Sequence, residues 1–353
     1  MPTKISDSIA RVLRDNKVSI SEVQTLISTA KSQPITAETK AQLQGLLDQH
    51  ADKFGSVAKR DLQAFLGTVK LTTPAAPTTT TPSVPAAPTT TSTGPRQIAD
   101  PTVLTKHTTD TTWKPVQDGK LFVDGVNFDD VVQGSIGDCY LVGALSAVAQ
   151  ANPETIKNAI KENADGTYTV RFYEKQPSGA MKPVDITIDG DLPQGSFGGA
   201  RYAKSRDGKE LWVGLLEKAY TQWKGGDYEK IGNGGFSGDV VSGLTGKATS
   251  YSSNKYTDAN TMFRTIQSGA TNHRAMTAPT HGKDSGVDYS GSGVYAWHVY
   301  TVLGAVEEAG TKYVQLRNPW GSTEPGSDGK NDGIFKMKLD DFAKLYQGVD
   351  VGN

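Results

Sequence analysis

The chain has a single cysteine, Cys139. One thiol excludes an intrachain disulfide, a CxxC redox pair and a multi-cysteine zinc site. Excess charge is also missing: 37 Lys and Arg stand against 38 Asp and Glu, a net charge of −1. That balance argues against a nucleic-acid binder working through a basic field, and against a polybasic membrane module. No apolar run approaches the roughly 18 residues of a spanning helix, so no membrane partner is expected. Met1 to Asn16 lacks the apolar core of a secretory signal. The expectation is a cytoplasmic protein, or one exported without such a signal. Several catalytic signatures are absent as well. No Ser has Gly at both −2 and +2, so there is no nucleophile elbow. Gly246-Lys247 is followed by Ala248 and has Val241 where a phosphate loop needs its first glycine. There is no H-E-x-x-H.

What is present divides the 353 residues into parts. Residues 71–98 are a linker, nearly all Pro, Thr, Ala and Ser through position 96. Such a run has no apolar period and cannot bury enough surface to fold, so an extended tether is expected. An unstructured tether is also where cutting concentrates, so self-cleavage is expected there. Before it, residues 1–70 read as a small helical bundle, a pro- or targeting region. Ile5, Ile9, Val12 and Leu13 share one helical face. Ser19 and Glu22 form a capping box ahead of Val23, Leu26 and Ile27. Leu43, Leu46, Leu47 and Phe54 make a third stripe, and Leu62, Phe65 and Leu66 a fourth. Asn16 to Glu22 has the look of half an EF-hand loop. Arg11 and Leu13 occupy its acidic positions, so a plain helix-turn-helix without metal is expected. After the tether, glycines multiply and strands alternate with helices, an α+β domain. Strands are expected at 168–173, 184–188, 294–306 and 313–317.

The chemistry concentrates at Gln133 to Leu145. A glycine-rich turn runs into an apolar segment that ends before Pro153. It is apolar on nearly every side, which predicts a buried central helix. Asp138 suits the N-cap, placing Cys139 in the first turn, where the helix dipole favours a thiolate. A thiolate nucleophile needs a base. His298 lies in the strand pattern Tyr295 to Leu303, and the next strand ends at Asn318-Pro319-Trp320-Gly321. A hairpin turning near residue 308 sets Asn318 beside His298, to within a residue or two of register. There the Asn oxygen would accept the imidazole N–H and fix its tautomer.

These blocks resemble the calpain-type cysteine peptidases, which have a papain-like core. The similar motifs are Gln133 to Cys139, Asp189 to Pro193, Leu215 to Tyr220, the His298 strand, Arg317 to Gly321 and Asp332 to Met337. They occur in family order across residues 120–346. Tyr140 departs from the family's Trp, and a Gly- and Ser-rich stretch, 277–293, replaces the usual approach to the histidine. The resemblance implies two catalytic subdomains, 99–245 with the Cys and 246–353 with the His and Asn: a helical subdomain with the nucleophile helix, and an antiparallel β subdomain. It implies a cysteine endopeptidase acting on polypeptides through a thioester. Cys139 is then the nucleophile, His298 the base, Asn318 its orienter, Gln133 an oxyanion donor and Trp320 a shield. It also implies dependence on Ca²⁺, with Val123 and Gly125 carbonyls, Asp130 and Glu217 as ligands. A second calcium site keeps Glu324 and Asp332 but has Ile334 where the family has an acid. Two other readings stay open: an inactive binding module that kept the fold, and a Cys–His acyl transferase or transglutaminase.

Overall fold

The computed structural model describes residues 37–50 and 95–353 except Ser327, with isolated positions between 9 and 66. The chain forms two compact units, Met1–Thr89 and Thr90–Asn353. In the first, the helix Ala37–Gln49 buries Leu43, Leu46 and Leu47 with Val18, Val23, Leu26, Leu62 and Phe65. The spacing of those leucines is the helical stripe that the sequence shows. Val18 bridges Phe54, its N–H donating to the Lys53 carbonyl at 2.8 Å. The capping box Ser19–Glu22, the EF-hand-like segment apart from Val18, and the tether up to residue 94 lie outside the described residues.

The second unit mixes helices with antiparallel sheets around two apolar cores. The first core is built on the helix Cys139–Ala151, buried from Cys139 through Ala149. Its sequence has no polar face to turn outward, so every side must meet protein. Leu141, Val142, Leu145 and Val148 are all essentially inaccessible, and each such side chain contributes about 1.5–3 kcal/mol. The helix stops at Asn152, whose backbone is extended and whose side-chain Oδ1 caps the next helix, Pro153–Ala159, by accepting the Glu154 N–H at 3.2 Å. Helices Trp212–Trp223 and Ser237–Thr245 pack around this core. So does the antiparallel meander Ile160–Glu162, Tyr168–Lys175 and Met181–Ile188. Lys218 is buried too, held by Asp100 at 2.5 Å, Asp189 at 2.6 Å and the Asp191 carbonyl at 2.8 Å. A buried ammonium requires such partners.

The second core lies on a six-stranded antiparallel sheet. Its spatial order is Ile334–Lys338, Thr311–Arg317, Val299–Glu308, Met276–Pro279, Gly348–Gly352, Thr249–Ser253. Helix Ala259–Thr271 covers it with Met262, Phe263 and Ile266.

The expected hairpin is present, with a shifted register. Glu308 pairs with Thr311 across a two-residue turn, Ala309-Gly310, with φ of 47° and 78°. Two positive φ values give the tight turn that matches strand twist. A bulge between Val302 and Gly304 shifts the pairing again, so Thr301 faces Arg317. Asn318 therefore reaches His298 on a diagonal. Several hydrogen bonds join the sheet and the segments beside it to the first core. Thr301 Oγ1 donates to the Gly143 carbonyl at 2.8 Å. The Gln133 N–H donates to the Pro319 carbonyl at 2.9 Å. Arg317, fully buried, donates to the carbonyls of Val131 at 2.7 Å and Asp129 at 3.1 Å. Among the described residues, no helix is long and apolar enough to cross a membrane.

Candidate active site

Cys139 is the first residue of its helix, after the N-cap Asp138. Asp138 makes no side-chain capping bond. The thiol is buried and lies against the start of the histidine strand. Burial pushes it up to about 11, opposed by the Val299 N–H that faces the sulfur.

His298 sits one residue before the strand Val299–Glu308. Its backbone is pinned on both sides by Thr280: the His298 N–H donates to Thr280 Oγ1 at 2.9 Å, and its carbonyl accepts the Thr280 N–H at 2.9 Å. The ring is enclosed by aromatics, Trp320 at 4.7 Å, Tyr300 at 4.9 Å and Tyr295 at 6.3 Å between centroids. Its Nε2 meets Asn318 Oδ1 at 2.9 Å. Asn318 is fully buried and doubly anchored. Its Nδ2 donates to the Thr323 carbonyl at 3.0 Å, and its Oδ1 also accepts the Trp320 N–H at 3.2 Å. Burial lowers the imidazole to about 4, with the Asn318 bond opposing. The ring is thus neutral at neutral pH. The residue before it, Trp297, has φ of 58° and is 69% exposed.

Gln133 precedes the turn that leads into Cys139. Its side-chain amide donates to the Ile136 carbonyl at 2.7 Å and to Asp138 Oδ1 at 3.2 Å. In this arrangement it braces the turn under Cys139.

One expected grouping is not formed. Glu217 does not meet Asp130. It is buried in the helix Trp212–Trp223, accepts the Ala203 N–H at 2.9 Å and faces Asp138. Burial, and next the Asp138 carboxyl, push Glu217 well above the carboxylate range. Burial also lifts Asp138 to about 7. The carboxylate that faces Asp130 is Glu210, raised to about 7 by burial first, with the Val123 N–H opposing and the Asp130 carboxyl adding to the rise. Glu210 Oε1 accepts the Val123 N–H at 2.7 Å, and Asp130 Oδ2 accepts the Asn127 N–H at 2.7 Å. The correction has a simple cause. Glu210 stands two residues before the helix, where its carboxylate reaches the Val123 N–H, whereas Glu217 lies among Leu215, Leu216 and Ala219. That apolar setting was the signal that Glu217 points inward. Gly125, with φ of 100°, lies on the same loop as Val123. At the family's second site, Glu324 Oε2 accepts the Gly333 N–H at 2.8 Å and Asp332 Oδ1 the Ile334 N–H at 3.0 Å, so both close turns.

Arg206 was not visible as a site residue in the sequence. Its guanidinium donates to the carbonyls of Asp129 at 3.1 Å, Gly321 at 3.2 Å and Asp332 at 3.2 Å. It ties the Asp130 loop to the segment carrying Asn318.

A lone thiol on a buried helix start, set against a strand that presents a His–Asn pair, has the layout of a cysteine protease. The chain belongs to the calpain family of cysteine proteases, whose model matches residues 99–329. It is 32% identical to a calpain-type cysteine protease of Oryza sativa subsp. japonica, over 62% of this chain and 10% of that one. It is 29% identical to a thiol protease of Porphyromonas gingivalis (strain ATCC BAA-308 / W83), over 60% of this chain and 52% of that one. With the calpain-2 catalytic subunit of Mus musculus the identity is 26%, over 67% and 37%. The chain thus spans between about a tenth and about half of these relatives' lengths.

Proposed function

We propose that this chain is a calcium-responsive cysteine endopeptidase in which Cys139, His298 and Asn318 act as a unit. The observation that carries the reading is the buried 2.9 Å bond from the imidazole to Asn318 beside the strand start that faces Cys139. Because Asn318 Nδ2 is committed to Thr323, its Oδ1 is the acceptor and His298 Nε2 carries the proton. Nδ1 is then free to take the thiol proton. Cys139 Sγ attacks the scissile carbonyl carbon, and its proton passes to Nδ1. The tetrahedral oxyanion is met by the Cys139 N–H, one of the donors a helix start leaves without an intrahelical acceptor. The Gln133 amide is the second donor once it turns from Ile136. Collapse expels the amine, which takes the proton from Nδ1, and leaves a thioester. Water, deprotonated by the same nitrogen, then releases the acid. Trp320 covers the His–Asn pair and keeps its bond dry.

The donor set fits a hard cation at one place. Asp130 and Glu210 face each other, and the loop that carries Asp130 could add the Val123 and Gly125 carbonyls. Oxygen donors of this kind suit Ca²⁺. A bound Ca²⁺ would neutralise the two carboxylates and fasten the loop 123–131 to the helix Trp212–Trp223. That loop holds Arg317 and Arg206, and so the Asn318 segment.

The test is cleavage of casein by purified chain in millimolar Ca²⁺ and in excess EGTA. Peptide release that needs Ca²⁺ supports the reading. Release that is equal in EGTA rejects the calcium part, and incorporation of amines without cleavage replaces hydrolysis with acyl transfer.

A further inference from the structure

Trp297 combines three features that its packing alone does not require. Its backbone φ is 58°, a left-handed conformation that bulky residues rarely adopt. Its indole is 69% exposed, so the strained backbone delivers a large apolar ring to water. The surrounding loop makes room for that ring. The Trp297 N–H donates to the His281 carbonyl at 3.0 Å, and a Cβ added at Gly282 would fall 2.8 Å from the indole Nε1. Strain of this kind collects at functional sites, where the surrounding structure over-determines it. Two residues earlier Tyr295 is 40% exposed and packs edge-on to Trp320, with centroids 4.5 Å apart. The strand end that carries His298 therefore also carries an aromatic wall.

The chemistry says which half of a substrate meets that wall. The imidazole hands its proton to the leaving amine, and that amine belongs to the residue after the cleaved bond. Groups attached next to His298 border this leaving half. The opposite wall borders the thiol: Gly137 bridges Asn233, and Gly235 lies so close to Tyr140 that a Cβ there would fall 2.4 Å from the ring. Gly234 donates to the Gly137 carbonyl at 3.2 Å. The acyl half lies on that side.

We propose that Trp297 is a specificity-determining residue: its indole receives a large apolar or aromatic side chain on the first substrate residue after the scissile bond. The inference rests on the cysteine-endopeptidase reading above. It assigns the substrate class as polypeptides with Phe, Tyr, Leu or a similar side chain at that position. Stacking against an exposed ring favours them by dispersion and burial.

The test uses two internally quenched peptides that differ only at the residue after the cleaved bond, Phe in one and Gly in the other. The wild-type chain in millimolar Ca²⁺ should favour the Phe peptide by about tenfold in kcat/KM, mainly through KM. Trp297→Gly accepts the left-handed backbone without strain, and should bring the two peptides to near equality. Trp297→Phe should restore part of the preference. A ratio unchanged in Trp297→Gly, with both peptides slowed alike, overturns the inference and leaves the peptidase reading standing. No cleavage of either peptide by the wild type overturns both. Sequencing the casein fragments made by the wild type gives a measurement that needs no variant. Enrichment of large apolar residues at the new N-termini supports the assignment, and their absence overturns it.

Discussion

His298 Nε2 and Asn318 Oδ1 lie 2.9 Å apart, with both side chains buried and Asn318 held in orientation by Thr323. The bond leaves one imidazole nitrogen for chemistry and fixes which. In the proposed mechanism Cys139 makes the new bond and His298 moves the proton, so Cys139→Ala and His298→Ala should each abolish proteolysis. Asn318→Ala should leave weak activity, lower by about 10²-fold or more, since it only orients. Initial rates on casein for the three variants decide this. An Asn318→Ala enzyme with full turnover would show that the bond is structural.

The burial of the two reacting groups sets the pH behaviour of the thiol. With Cys139 at about 11 and His298 at about 4, the neutral pair is the resting form. Only about 10⁻⁴ of the thiol is ionised at pH 7. Alkylation by iodoacetamide without Ca²⁺ should be slow there and rise about tenfold per pH unit to pH 10. A rate already at its plateau at pH 7 would mean a preformed thiolate–imidazolium pair.

The two carboxylate pairs should respond differently to substitution. Asp130→Asn or Glu210→Gln should raise the Ca²⁺ needed for activity, because those two side chains face each other at the loop. Glu217→Gln should leave the Ca²⁺ requirement where it is. Burial and the Asp138 carboxyl push Glu217 well above the carboxylate range, and its side chain accepts from Ala203 rather than facing Asp130, so Gln removes no calcium ligand. Calcium titrations of activity and of heat on binding separate the cases. A Glu217→Gln enzyme with weakened calcium binding would restore Glu217 as the ligand.

Arg206 donates three hydrogen bonds to carbonyls of segments far apart in sequence. Bonds from a charged donor contribute about 1.5–3 kcal/mol each when well shielded. Arg206 is exposed, so a total of about 1–3 kcal/mol is expected. Arg206→Ala should lower stability by that amount in urea unfolding and raise the Ca²⁺ needed for turnover. Unchanged values for both would show that Arg206 does not hold the segments together.

The nucleophile helix was legible because Cys139 to Ala151 has no polar face, and a helix without one has nowhere to go but inward. The hairpin was legible as a pair of strands, but its register was not. The turn Ala309-Gly310 and the bulge beyond Val302 each displace the pairing, and alternating apolar residues do not report either. The calcium-ligand assignment failed at Glu217 for a reason of local environment. The motif Leu215 to Tyr220 names the helix, but the apolar neighbours of Glu217 turn its side chain inward, toward Asp138. Arg206 was invisible because its partners are backbone carbonyls, which carry no side-chain signature.

The most direct measurement is the time course of casein cleavage in millimolar Ca²⁺ by the wild type and by Cys139→Ala, prepared alike and matched for folding by circular dichroism. The account predicts steady peptide release by the wild type and none by the variant, since the chain has no other thiol. Cleavage by Cys139→Ala at a comparable rate would contradict it.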